Sequence, residues 1–163
     1  MDISTCSLKR EGLQDQSLVV FQRITSGYLL FLPLCPSTNS RMQPVRMGWR
    51  CQNILTKEAR SYIRIMATAL KLWARQVRFE PICDYLGIDL WFVLPRTTCD
   101  AHNYGKVLFD ALETGGIVTN DKFILPRVMG IWHQPPGEVV IKLPIPKRGG
   151  VKDLNSSWTE IAR

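Results

Sequence analysis

The stretch "LGIDLWFVLPRTTCDAHNYGKVLFDALETGG", residues 86–116, changes its apolar period from two to 3.6 partway along. In its first part Leu86, Ile88, Leu90, Phe92 and Leu94 project to one side and Asp89, Trp91 and Val93 to the other, the alternation of a strand that ends at Pro95. From Asn103 the spacing is helical: Tyr104, Val107, Leu108, Ala111 and Leu112 make one apolar stripe, while Asn103, Lys106 and Asp110 stack on the other side. Gly115 and Gly116 close the helix. Between strand and helix lie Asp100 and His102, two apart in an extended segment and so aimed to the same side. Two readings stay open: Asp100 as a helix cap beside a surface histidine, or the pair as half of a metal site.

Upstream, Thr56 is an N-cap with Glu58 in the first turn, and helical spacing runs through Ala59, Ile63, Met66, Leu70, Trp73 and Val77 as one apolar face. The basic residues of this helix, Lys57, Arg60, Arg64, Lys71, Arg75 and Arg78, fall in a sector about 60° wide. A solvated face explains such a stripe, and so does contact with phosphates. "CPSTNSRMQPVRMGWR", residues 35–50, reads as a loop, and "LVVFQRITSGYLLFLPL" before it as a hairpin or one extended strand. Downstream, "IVTND" reads as a short strand and turn, and "QPPG" as the turn of an antiparallel hairpin between "FILPRVMGIWH" and "EVVIKLPI". The expectation is a single α+β domain over residues 18–146, with a loose arm at 1–17 and a polar tail at 147–163.

A chain of 163 residues, 45% hydrophobic, suffices for one core, and no apolar run nears the roughly 20 residues that span a bilayer. A cytoplasmic protein is expected. The five cysteines show no CxxC spacing, and Cys99 with His102 lacks the four ligands of structural zinc, since the other histidine is His133. A net charge of +7 points to a polyanionic partner.

Asp121 follows "IVTN"; if the two strands are neighbours, Asp100, His102 and Asp121 converge at their ends, a donor set able to hold Mg²⁺. The bland alternative makes Asp121 a turn residue and Lys106–Asp110 a surface i,i+4 pair.

"DAHNYGK" at 100–106, "FDAL" at 109–112 and "NDKFI" at 120–124 stand in the order of a known family's motifs. With "LPLCPSTNSR" and "LTKEARSYIR" upstream, the chain resembles the RusA-type Holliday-junction resolvases of prophages and bacteria from about Tyr28 to Ile145. The resemblance implies a RusA-like mixed sheet with two main helices, a homodimer acting on four-way, branched DNA, and Mg²⁺-dependent cleavage by an endodeoxyribonuclease in recombination and repair, in a nucleoid-associated setting. Residue by residue, Asp100 and Asp121 match metal-binding aspartates, Lys106 the essential lysine, and Asn103 and Asp110 supporting residues. Three positions depart from the family pattern: His102 stands for the central metal-binding aspartate, Asn120 for the first aspartate of the D-D pair, and Cys99 for an arginine. An imidazole suits Mn²⁺ better than Mg²⁺. DNA contacts are expected from the α-helical stripe and from Arg41, Arg46, Arg50 and Arg96. Two other classes stay open: a branched-DNA-binding protein impaired in cleavage by His102, and a small structural or regulatory phage protein.

Overall fold

The two periods of residues 86–116 are both realised. The computed structural model describes residues 19–47 and 49–145. In chain order it has β1 (Val20–Ile24), β2 (Gly27–Pro33), β3 (Met42–Met47), β4 (Arg50–Leu55), α1 (Lys57–Val77), β5 (Leu86–Leu94), α2 (Gly105–Thr114), β6 (Ile124–His133) and β7 (Glu138–Pro144). Short 3-10 turns occupy Thr38–Ser40, Ala101–Tyr104 and Asp121–Phe123. The expected arm, 1–17, and tail, 147–163, lie outside the described residues.

One mixed sheet runs in the order β1-β2-β7-β5-β6, with β6 parallel to β5 and the other pairs antiparallel. The sheet and two main helices bear out the α+β expectation. Leu30, Leu32, Ile88, Leu90, Phe92, Leu94, Val139, Ile141 and Leu143 are buried with Met66, Leu70 and Trp73 of α1 and Val107, Leu108, Ala111 and Leu112 of α2, so both helices share one core with the sheet. Trp73 anchors an aromatic cluster, its ring centroid 5.4 Å from Tyr28 and 5.1 Å from Phe79. At the end of α2 the helices meet so closely that a Cβ on Gly115 would lie 3.0 Å from the Leu70 side chain of α1. On the strand's second face Asp89 is buried, paired with Arg127 at 2.6 Å, its register partner on β6.

Three expectations are corrected. Residues 35–50 are not all loop: β3 and β4 pair antiparallel as a separate two-stranded ribbon. Met42, Gln43, Pro44 and Arg46 on one strand and Arg50, Cys51, Gln52 and Asn53 on the other are exposed, so neither strand carries the alternation that burial of one face imposes. The segment "IVTN" makes only an isolated parallel bridge, Ile82 to Val118, and Asn120 instead caps the 3-10 turn by accepting from the Lys122 N–H at 3.1 Å. Finally, β6 and β7 do not form a hairpin, because β5 lies between them. A strand apolar on nearly every residue needs neighbours on both edges. The connection 134–137 therefore arches across its end, pinned by Gln134 N–H to the Leu94 carbonyl (2.8 Å) and Leu34 N–H to the Gly137 carbonyl (3.1 Å). The segment 19–33 resolves as the hairpin β1–β2.

Candidate active site

The α2 helix places Lys106, Asp110 and Glu113 at i, i+4 and i+7 on one face, opposite its buried stripe. Lys106 Nζ lies 3.0 Å from Asp110 Oδ1 and also donates to Asp121 Oδ2. The second oxygen of Asp110 takes the Arg41 guanidinium at 3.3 Å. The result is an alternating chain of charge, Arg41–Asp110–Lys106–Asp121, in which an i,i+4 pair of α2 is joined by residues from two distant parts of the sequence. Asp110 and Asp121 side chains are 20% and 24% exposed and that of Lys106 is 44% exposed, so these contacts stay open to solvent screening on the lysine side. The hydrogen bond that Lys106 donates to Asp121 is the main reason the Lys106 pKa rises above its usual value, with Asp110 acting in the same direction.

Asp121 arrives by a different route from the one expected. It precedes β6 at the end that pairs with Leu86, while Asp100 follows β5 beyond Leu94. What links them is α2, running back between the two: Glu113 Oε2 accepts the Asp121 N–H at 3.3 Å, and Lys106 reaches the Asp121 carboxylate. Asp100 caps the 3-10 turn ahead of α2, its Oδ1 accepting from the His102 N–H at 3.1 Å and its carbonyl from the Asn103 N–H at 3.1 Å. Asp100 and His102 are exposed and Asn103 is half-buried. Beneath this turn the Cys35 thiol donates to the Tyr104 carbonyl at 2.9 Å, fixing the turn to the end of β2; burial pushes that thiol up to about 12.

Oxygen and imidazole donors are chemically suited to a divalent ion. Their placement does not close around one: among the described residues no group of three or more His, Cys, Asp and Glu side chains could hold a metal ion. The two carboxylates that do converge, Asp110 and Asp121, share the Lys106 ammonium.

The basic surface is split. Lys57, Arg60, Arg64, Lys71 and Arg75 are exposed along α1, and among the described residues none has a carboxylate partner. Arg60, Arg64 and Lys71 line a shallow depression with Leu55 and Thr114, so the stripe adjoins the end of α2. Arg78 leaves the helical register, closing α1 in the left-handed conformation at φ 53°. Arg46 and Arg50 are exposed on the β3–β4 ribbon and Arg96 on the turn after β5. Arg41 differs from all of these: Asp110 takes its guanidinium and its Nε is buried without a hydrogen-bond partner, so it serves the α2 face rather than an open surface.

A family model described as endodeoxyribonuclease RusA matches residues 33–143, more than half of the chain. No curated protein matches the sequence. No helix among the described residues is long and apolar enough to cross a membrane.

Proposed function

The chain belongs to the RusA endodeoxyribonuclease family, and from that membership we propose that it cuts four-way DNA junctions as a homodimer, one α2 site acting on each of two symmetry-related strands. The observation that supports this reading is the Arg41–Asp110–Lys106–Asp121 chain, which holds a charged ammonium on the helix face carrying the family's motif. Nucleases of this family depend on a divalent metal. Asp100, His102 and Asp121 are the residues that would hold such an ion once brought together, and the ion would supply water activation and charge compensation at the phosphate. The chain's own contribution is electrostatic. Lys106 presents positive charge to the scissile phosphate, and Asp110, anchored by Arg41, sets where that charge sits. The exposed cations of α1 grip the backbone without reading bases.

The test is incubation of the protein with a labelled four-way junction and with matching duplex, in Mg²⁺ and separately in Mn²⁺. Junction cleavage, with duplex left intact, is expected; binding that does not distinguish junction from duplex removes the proposal. A second reading, a branched-DNA binder that does not cut, is favoured by His102, which stands where the family's motif has a metal-binding aspartate. Binding without cleavage in either metal supports it.

Arg41 gives a finer test of the site. Arg41→Ala should lower the single-turnover cleavage rate about tenfold while junction affinity changes little, because the guanidinium acts through Asp110. Arg41→Lys should restore part of the rate. A fall in affinity with an unchanged rate would instead make Arg41 a phosphate contact.

A further inference from the structure

Trp49 is 87% exposed, although an indole is among the side chains that gain most from burial. It stands in the turn between β3 and β4. The guanidinium of Arg50 lies over its ring, 5.2 Å from the centroid. The whole ribbon, residues 42–55, contains two arginines and no acidic residue. A mostly exposed ribbon tipped by an aromatic ring and a cation is complementary to an anionic chain that also offers flat apolar faces, which is the chemistry of nucleic acid with accessible bases.

The ribbon is rooted at the candidate site. Its two ends are tied together by the Thr56 N–H donating to the Arg41 carbonyl at 2.7 Å and by the Thr56 hydroxyl donating to the Ser40 carbonyl at 3.1 Å. Arg41, the residue before β3, is the one that grips Asp110 on α2. Strands of six residues reach roughly 20 Å at about 3.3 Å per residue, or about six base steps at about 3.4 Å each. An arm of that reach, fixed at its base to the catalytic helix, relates a contact at its tip to the position of the cleaved bond.

We propose that the β3–β4 ribbon is a DNA arm whose tip residue, Trp49, stacks on a base exposed at the branch point of the substrate. The proposal rests on the junction-cleaving reading. In continuous duplex both faces of every base are covered by neighbours, whereas at a branch the stack is interrupted and an indole gains a partner at lower unstacking cost. Stacking of this kind tolerates any base, so the arm contributes selectivity for branched form and none for sequence.

The experiment uses the full chain and a four-way junction carrying 5-iododeoxyuridine at the exchange point, with the same base placed inside one arm and inside a duplex as controls. Irradiation in EDTA should crosslink the exchange-point base to the peptide containing Trp49, and neither control should crosslink there. Trp49→Ala should abolish the crosslink and reduce the preference for junction over duplex about tenfold, while the salt dependence of binding is unchanged because phosphate contacts remain. Trp49→Phe should keep part of the preference. An unaltered preference in Trp49→Ala, with no crosslink at Trp49 in the wild type, overturns the proposal and leaves the resolvase reading standing. Equal wild-type affinity for junction and duplex removes that reading and the proposal with it. A Trp49→Ala variant that changes oligomeric mass without changing junction preference would show the tip packing on a second copy, which also overturns it. Matched thermal melts confirm that the variants fold.

Discussion

Lys106→Ala is expected to lower the cleavage rate on a four-way junction about 10²- to 10³-fold, the loss typical when one group aimed at developing transition-state charge is removed. Junction affinity should change no more than a few-fold, because the exposed cations of α1 are separate from this residue. Lys106 is held by two carboxylates, so its removal also leaves Asp110 and Asp121 facing each other without the charge between them. Lys106→Met, of similar length, and thermal melts of both variants separate that structural effect from the catalytic one. The protonation state of Lys106 is robust. Its raised pKa, caused first by the hydrogen bond it donates to Asp121, means that the ion pair's contribution is complete below the ordinary lysine value and is lost only as pH rises through the higher folded value. Loss of activity at neutral or mildly alkaline pH is therefore not expected from this group, and a rate profile over that range checks it. Wild-type cleavage rates in Lys106→Ala would remove the lysine from the mechanism.

The site was partly legible in the sequence because its helix announces itself. Tyr104, Val107, Leu108, Ala111 and Leu112 must be buried together, which leaves Lys106 and Asp110 on the open face whatever the rest of the chain does. The i,i+4 pair was visible as a local spacing and is present at 3.0 Å. Its extension was not visible. Asp121 reaches Lys106 from fifteen residues away through a turn, and Arg41, which precedes α1 in the sequence, reaches Asp110 on α2; no period or spacing encodes such contacts. The same distinction separates the correct strands from the missed ones. Leu86–Leu94 lies under both helices, and burial wrote its pattern into the sequence. The β3–β4 ribbon buries little, so Pro44, Arg46 and Arg50 could be placed there without an apolar face to betray it. The proximity of "FILPRVMGIWH" and "EVVIKLPI" suggested a hairpin, yet neighbours in sequence were separated in space because the apolar β5 takes the position between them.

The substitution with the largest expected gain is His102→Asp. The side chain is exposed, as is Asp100, whose carboxylate accepts from the His102 N–H. If position 102 faces the metal, exchanging a neutral imidazole for a carboxylate adds one negative charge beside a divalent ion. At the water-like end of the dielectric range a unit pair about 4 Å apart gains about 1 kcal/mol, doubled to about 2 kcal/mol for a divalent ion, which corresponds to roughly thirtyfold in binding. The Mg²⁺ concentration for half-maximal cleavage should therefore fall about thirtyfold in His102→Asp. The Mn²⁺ requirement should fall less, because imidazole is already a good ligand for that ion. Metal titrations of single-turnover cleavage give both numbers, and isothermal titration of each metal into the free protein gives a readout independent of activity. An aspartate variant that cuts in Mg²⁺ where the wild type only binds would assign the natural protein to the non-cleaving class and show that one side chain separates it from the nuclease. Unchanged metal dependence in both assays would place His102 outside the metal site and leave Asp121, already joined to Lys106, as the carboxylate around which the reaction must be organised.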